Sequence, residues 1–434
     1  MAQSAVSAQV APSRAIPAAT PQAVLGESLQ LPCGAVLKNR LAKSAMSEAM
    51  AGRDGAPNEE LARLYARWAD GGLGLCITGN VMVDRRYLGE PGNVWIEDES
   101  QLAAFARWAQ AGTRNGTALW MQLNHPGKQS PKGLNRENVA PSAIPFRADL
   151  APFFATPREL RGEEIEDIVR RFGTAAAVAQ KAGFSGVQIH GAHGYLVGQF
   201  LSPHHNRRTD QWGGTPQNRR RFVLAVLAEI RRRVGPGFPV GIKLNSADFQ
   251  RGGFTEEESL DTIRALAAAG IDLIEISGGT YEAPAMTGVK QEPQKDSTRQ
   301  REAYFMDFAE KARAAVDVPL MLTGGFRSLR GMAGAITGGA VDLVGLARSL
   351  VLETDLPNRV LAGDEPREQV RPITTGIKRI DRMGLMEITW YTRQLQRIGR
   401  GHEPQPRESG LKVFLLYIWA NARVMMRPRK LRAN

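Results

Sequence analysis

Residues 240–277 read VGIKLNSADFQRGGFTEEESLDTIRALAAAGIDLIEIS, two short apolar runs on either side of a helical pattern. The first run, 240–245, and the second, 273–277, are dense in Val, Ile and Leu, as strands buried on both faces should be. Between them Thr255 stands where a helix N-cap is wanted, and Glu258 three residues later completes a capping box. Gly270 supplies the stop. A helix crossing between two such runs is the repeating unit of a parallel sheet. Working outward, apolar runs recur at 40–47, 74–79, 118–124, 186–190, 319–323 and 342–346. Helical patterns fall between and after them, at 57–71, 100–112, 163–183, 215–234, 302–316, 328–337 and 356–362. Eight strand–helix alternations in one stretch predict an α/β chain folded as a closed (β/α)8 TIM barrel. An open doubly wound sheet fits less well, because no G-x-G-x-x-G follows the first run.

The barrel is expected over residues 28–363. Residues 125–162 carry six prolines and no long periodic run, so a long loop follows strand 3. Such a loop leaves the C-terminal face of a barrel, where it can serve as a lid or pocket wall. Residues 364–434 read as a C-terminal helical extension packed on the barrel. Residues 1–27 read as a flexible N-terminal arm, rich at first in Ala, Ser, Gln and Pro, with an organelle transit peptide as the alternative.

Only Cys33 and Cys76 are present, far apart and without metal-ligand spacing. That points to a reducing, cytoplasmic setting and to no metal site. The net charge of +12 raises nucleic acid as a partner. Much of the excess, however, lies in Arg219-Arg220-Arg221 and Arg231-Arg232-Arg233, which read as solvated helix faces, so no nucleic acid is expected. No apolar run reaches the ~20 residues that span a bilayer.

The chemistry concentrates at strand ends. His190-Gly-Ala-His193-Gly-Tyr195 follows the fourth run directly, which puts two imidazoles and a phenol at the catalytic rim. Two histidines so spaced can converge on one oxygen, and a phenol nearby can deliver a proton. Surface or core hydrogen bonding is the bland alternative, and zinc fits poorly without a third ligand. Thr323-Gly324-Gly325-Phe326 ends the seventh run and Leu346-Ala347-Arg348 the eighth, the two positions where barrels bind phosphate. A plain tight turn is the competing reading of the glycines. Lys243, in the fifth run, either meets an anion in the barrel mouth or forms a structural salt bridge. Gln122 offers donor and acceptor to an amide-like ring edge.

The run 186–221, GVQIHGAHGYLVGQFLSPHHNRRTDQWGGTPQNRRR, resembles the old yellow enzyme group, the NADH:flavin oxidoreductase family. Supporting matches are Lys38-Asn39-Arg40, the Leu-Asn-His-Pro-Gly around His125, and the stretch from Lys243 to Asp248. The resemblance covers roughly residues 30–400 and implies FMN at the C-terminal mouth of the barrel. It implies that Ala45, Met46 and Ser47 contact the isoalloxazine, that Gly79 backs the ring, and that Gln122 bonds its pyrimidine edge. Lys243 would neutralise charge at N1 and O2. Gly324, Gly325, Ala347 and Arg348 would hold the phosphate. His190 and His193 would bind the acceptor oxygen, and Tyr195 would protonate the α carbon after hydride reaches the β carbon. NADH or NADPH would use the same pocket first, a ping-pong cycle, with a small-molecule acceptor such as an α,β-unsaturated carbonyl.

Three departures qualify this. Ala45 stands where proline is frequent, Lys243 where some members have arginine, and Ala347 where glycine is frequent. No C-x-x-C cluster accompanies the barrel, so it resembles the stand-alone form. A flavin-free lyase or isomerase on a phosphate-binding barrel is the alternative function. The apolar stretch 411–419 with the basic residues beyond it reads first as a helix docked on the barrel or on a second subunit. Membrane association is not expected on that reading, though the tail leaves it open, and a homo-oligomer is allowed. Trp212, Tyr281, Phe153 and Phe154 are candidates for the pocket wall.

Overall fold

The computed structural model describes residues 19–280, 305–368, 370–381 and 385–425. Eight parallel strands close into a barrel: β1 (Leu41–Lys43), β2 (Leu75–Met82), β3 (Ala118–Asn124), β4 (Gly186–Gly191), β5 (Val240–Asn245), β6 (Leu273–Ser277), β7 (Leu320–Thr323) and β8 (Leu343–Leu346), with β8 pairing back onto β1. The helices that join them are α1 (Glu59–Asp70), α2 (Leu102–Gly112), α3 (Gly162–Lys181), α4 (Pro216–Val234), α5 (Glu256–Ala268), α6 (Met306–Arg313), α7 (Leu329–Thr337) and α8 (Leu356–Leu361). The capping box on α5 is present, with Thr255 and Glu258 exchanging backbone hydrogen bonds of 3.3 Å.

Inward positions alternate along each strand and stack in layers. The lower layer is apolar: Ala42, Leu75, Ile77, Trp120, Leu273, Met321 and Leu343. A hairpin of Leu29–Gln30 with Val36–Leu37 plugs this end, burying Leu29, Leu31 and Leu37 against the same layer. Two residues further along the strands the layer turns polar, and there the barrel floor meets its mouth.

Several expectations are corrected. The first strand ends at Lys43 rather than at 47, because the Ser44 N–H pairs with the Leu346 carbonyl (2.8 Å) and the chain then leaves the sheet. Ala45, Met46 and Ser47 are therefore loop residues at the rim. The arm expected over 1–27 is ordered in its last part: Pro21–Gly26 is a helix capped by Thr20, with Val24 and Leu25 buried against α7 and α8. Residues 1–18 lie outside the described residues. The arginine clusters are only partly solvated. Arg219 is buried, donating to the Leu201 carbonyl and Glu258, and Arg231 is drawn onto Asp272.

In the extension, the helix Leu385–Gly399 packs on α1, and Thr392 and Gln396 donate to the carbonyls of Ser47, Glu48 and Ala49. The helix Gly410–Met425 packs on Leu385–Gly399, with Val413 buried and 415–419 exposed.

Asp272 locks the plugged end. Its carboxylate accepts from the Cys33 N–H (3.0 Å), the Val240 N–H (2.8 Å) and the Arg231 guanidinium. Asp272→Ala leaves those donors buried without a partner, and about 3 kcal/mol of unfolding free energy should be lost. Chemical denaturation measures it, and a change near zero would show that the plug is held by its apolar contacts alone.

Candidate active site

The mouth is built on a hydrogen-bonded chain through the barrel. The Gln122 Nε2 donates to Gln188 Oε1 (2.8 Å), and the Gln188 Nε2 donates to Glu275 Oε2 (2.7 Å). The other Glu275 oxygen receives the Lys243 Nζ (3.0 Å) and the Thr323 hydroxyl (2.8 Å). Since Thr323 has spent its proton, Ser44 donates to it across 2.6 Å. Glu275 and Gln188 were missed from sequence, although each is a lone polar residue at the inward phase of an apolar run. Lys243 takes the structural pairing and keeps two further N–H donors.

On the rim, His190 is the next-to-last residue of β4, in register with Lys243. Its Nδ1 accepts from the Ala192 N–H (3.4 Å), which leaves the proton on Nε2. His193 follows with φ of 59°, a left-handed conformation that is rare outside glycine. Its N–H donates to Asn245 Oδ1 (3.2 Å), and its Nε2 lies 2.7 Å from the Ser277 hydroxyl. The His190 ring lies 5.3 Å from that of His193 and 4.6 Å from that of Tyr195, so the trio forms one cluster. Burial holds both imidazoles neutral, with His193 beside His190 and Lys243 beside both adding to the effect; His193 falls to about 3.

The remaining expected residues ring the mouth. Gly79 sits in the irregular stretch of β2, its N–H donating to Glu48 Oε1 (3.1 Å). A Cβ there would fall 2.0 Å from the Glu48 carboxylate and 2.5 Å from the Met46 carbonyl, so this glycine is required by close packing. The Ser47 hydroxyl donates to Glu90, another residue that sequence reading missed. Burial, then the nearby Glu48, pushes Glu90 up to about 7. Gly324 and Gly325 have φ of 106° and 99°. Arg348 begins a short helix after Ala347 and reaches Glu387 of the extension (3.1 Å). Of the wall candidates, Trp212 is buried and packs in the core, Phe153 is exposed, and Phe154 packs against Phe146 with the rings tilted by 39°. Tyr281 lies outside the described residues.

Much of the long run 186–221 proves architectural. Arg208 reaches across to the loop after β3, donating to the carbonyls of Pro141 (3.0 Å) and Leu160 (2.6 Å) while Asp210 holds its other edge. Asn206 ties the Phe200 and Trp212 carbonyls, both at 2.8 Å. The loop itself contains a short pair of strands, Val139–Ala140 with Arg158–Glu159.

The donor set fits a flavin mononucleotide. The two glycines leave backbone N–H groups accessible to an anion, Arg348 adds charge, and the Gln122 Oε1 can accept from an imide N–H. Asn124, at the inward phase two residues beyond Gln122, has both amide atoms buried without a partner, as a polar ligand site would leave them.

Residues 32–366 match the NADH:flavin oxidoreductase / NADH oxidase family. The chain is 38% identical over 406 residues to an NADH-dependent flavin oxidoreductase of Talaromyces variabilis, covering 87% of this chain and 98% of that protein. It is 40% identical over 366 residues to one of Neonectria sp. (strain DH2), covering 79% of this chain but only 48% of that longer protein. An old yellow enzyme homologue from Zymomonas mobilis superposes with a TM-score of 0.68 at 25% identity, covering 80% of this chain and 94% of that one. The chain belongs to the NADH:flavin oxidoreductase family, the old yellow enzyme group. FMN is accordingly its cofactor and a nicotinamide its hydride donor.

If burial keeps the histidine pair uncharged, the ring resonances of His190 and His193 should not move between about pH 8 and about pH 5, where an ordinary histidine titrates. NMR of histidine-labelled protein reads this directly. A midpoint near 6.5 for either ring would overturn the neutral assignment.

Proposed function

We propose that this flavin oxidoreductase is an ene-reductase, reducing the activated C=C bond of small α,β-unsaturated carbonyl compounds in a ping-pong cycle. The observation that carries the reading is the neutral His190–His193 pair beside the Tyr195 phenol at the end of β4. Bound FMN supplies the hydride, taken from NADH or NADPH and passed to the acceptor.

The chain's own residues do the rest. The Nε2–H of His190 and one ring nitrogen of His193 donate to the acceptor oxygen and draw electron density from the conjugated bond. Neutral imidazoles suit this role, because they polarise an oxygen without surrendering a proton to it. Tyr195 then gives its phenolic proton to the α carbon. Lys243, with Glu275 already beside it, turns its two remaining N–H donors to the flavin pyrimidine edge. Gln122 would bond that same edge, Ser47 would hydrogen-bond the C4 carbonyl, and Ala45 and Met46 would contact the ring. Gly324, Gly325, Ala347 and Arg348 hold the phosphate. The flavin-free lyase or isomerase reading is set aside by the family to which the chain belongs.

An anaerobic titration with NADH and then 2-cyclohexenone tests the proposal. The visible flavin band should bleach with the nicotinamide and return with the enone; a band that bleaches but ignores enones would limit the protein to other acceptors. Tyr195→Phe should slow the return by roughly 10²-fold or more while leaving the bleaching step near its normal rate, as loss of a general acid requires. Equal slowing of both steps would remove Tyr195 from the proton-delivery role. Lys243→Met should weaken FMN retention and lower the flavin potential, read by dialysis and by redox titration against a dye.

A further inference from the structure

The helix Gly410–Met425 has an arrangement unlike the others. Val413 is buried and Phe414 half-buried against the rest of the protein. Five consecutive large apolar residues, 415–419, are then exposed on every side of the helix, with Leu415 at 60%, Ile418 at 49% and Trp419 at 57%. A helix that is apolar all round is ordinarily buried in something. An exposed apolar patch of this kind marks a contact surface. The helix is not long and apolar enough to cross a membrane, so it cannot hide this surface by spanning one.

The charge around it selects the partner. Residues 411–434 carry six lysines and arginines and no aspartate or glutamate. Lys412 is paired with Glu408, and the other five follow Trp419 in sequence. A second copy of the stretch brings five more cations and no acid to meet them. An anionic lipid surface meets both needs: its acyl boundary takes Leu415, Ile418 and an aromatic pair suited to the interface, and its headgroups take the basic run.

We infer that the exposed apolar residues 415–419 are an interfacial anchor that docks this oxidoreductase on anionic membrane surfaces, with the charge of the basic sequence that follows them adding attraction.

Flotation of the purified full chain with lipid vesicles tests it. Binding is expected to phosphatidylserine-containing vesicles and not to pure phosphatidylcholine, with a roughly tenfold or greater loss at high salt, since surface charge attraction is screened. Leu415→Glu with Ile418→Glu places charges at positions that are already exposed, so the fold and the NADH-dependent bleaching should be unchanged while flotation is lost. Absence of flotation with anionic vesicles, or flotation that the double variant retains, would overturn the inference. So would a dimer in sedimentation velocity that the double variant dissolves while wild-type protein ignores vesicles, which would assign the face to a second copy.

Discussion

The Glu275 carboxylate is the constraint on which the mouth of this barrel depends. A carboxylate held in the barrel interior is tolerated only if its lone pairs are met, and here Gln188, Lys243 and Thr323 meet them from three other strands. Each of those groups is turned inward and fixed in one rotamer as a result. Gln122 on β3 joins through Gln188 and Ser44, just past β1, joins through Thr323, so three other strands meet the carboxylate directly and two more are tied in at one remove. The floor under the candidate flavin is thereby set by hydrogen bonds rather than by apolar packing, which fills only the layer below.

The second constraint lies outside the barrel wall. The loop after β3 must cross the C-terminal face with only the two-residue strands Val139–Ala140 and Arg158–Glu159 to support it, and its remaining backbone polar groups need partners. Arg208 supplies them at Pro141 and Leu160, and Asp210 aligns the guanidinium for the task. The stretch after His190–Tyr195 therefore serves the site at one remove: it fixes the loop that borders it. A motif with high diagnostic value need not touch a ligand, and this one combines three rim residues that face the mouth with a clamp that does not.

What the sequence made legible follows from which forces are local. Strands β3, β5 and β6 begin and end where their apolar runs do, because a buried parallel strand stops where the run meets polar or glycine residues. The α5 capping box is a four-residue device and could be read without any tertiary knowledge. By contrast, the early end of β1 depends on Leu346, some 300 residues away, and no local pattern announces it. Glu275 stands inside an apolar run with nothing local to give it a role, and only the barrel's closure reveals that its neighbours across the interior are Lys243 and Thr323. Glu90 was invisible for the same reason, since its meaning comes from Ser47 and Glu48 on another loop. The Pro21–Gly26 helix is too short to stand by periodicity and is held by α7 and α8. The apolar tail was plain in the sequence, but whether protein covers it is a tertiary fact.

The charge pattern of the mouth has a further consequence. Both candidate cations already have a carboxylate partner, Lys243 with Glu275 in the interior and Arg348 with Glu387 on the extension. The histidines contribute no charge, being held neutral by burial. The two pairs differ in what they can yield. Lys243 and Glu275 are sealed within the barrel, where separating them would strand a charge, so Lys243 can address a ligand only through the donors it has left. Arg348 is more open, and its guanidinium has edges that Glu387 does not use. Glu387 also accepts from the Ile373 N–H (3.0 Å), so the carboxylate is held by the extension whether or not Arg348 turns toward an anion. The phosphate site proposed at Gly324, Gly325 and Arg348 is in this way tied to the packing of the helix Leu385–Gly399. That same helix holds the carbonyls of Ser47, Glu48 and Ala49 from its other end, so one element braces both Arg348 and the loop that follows β1.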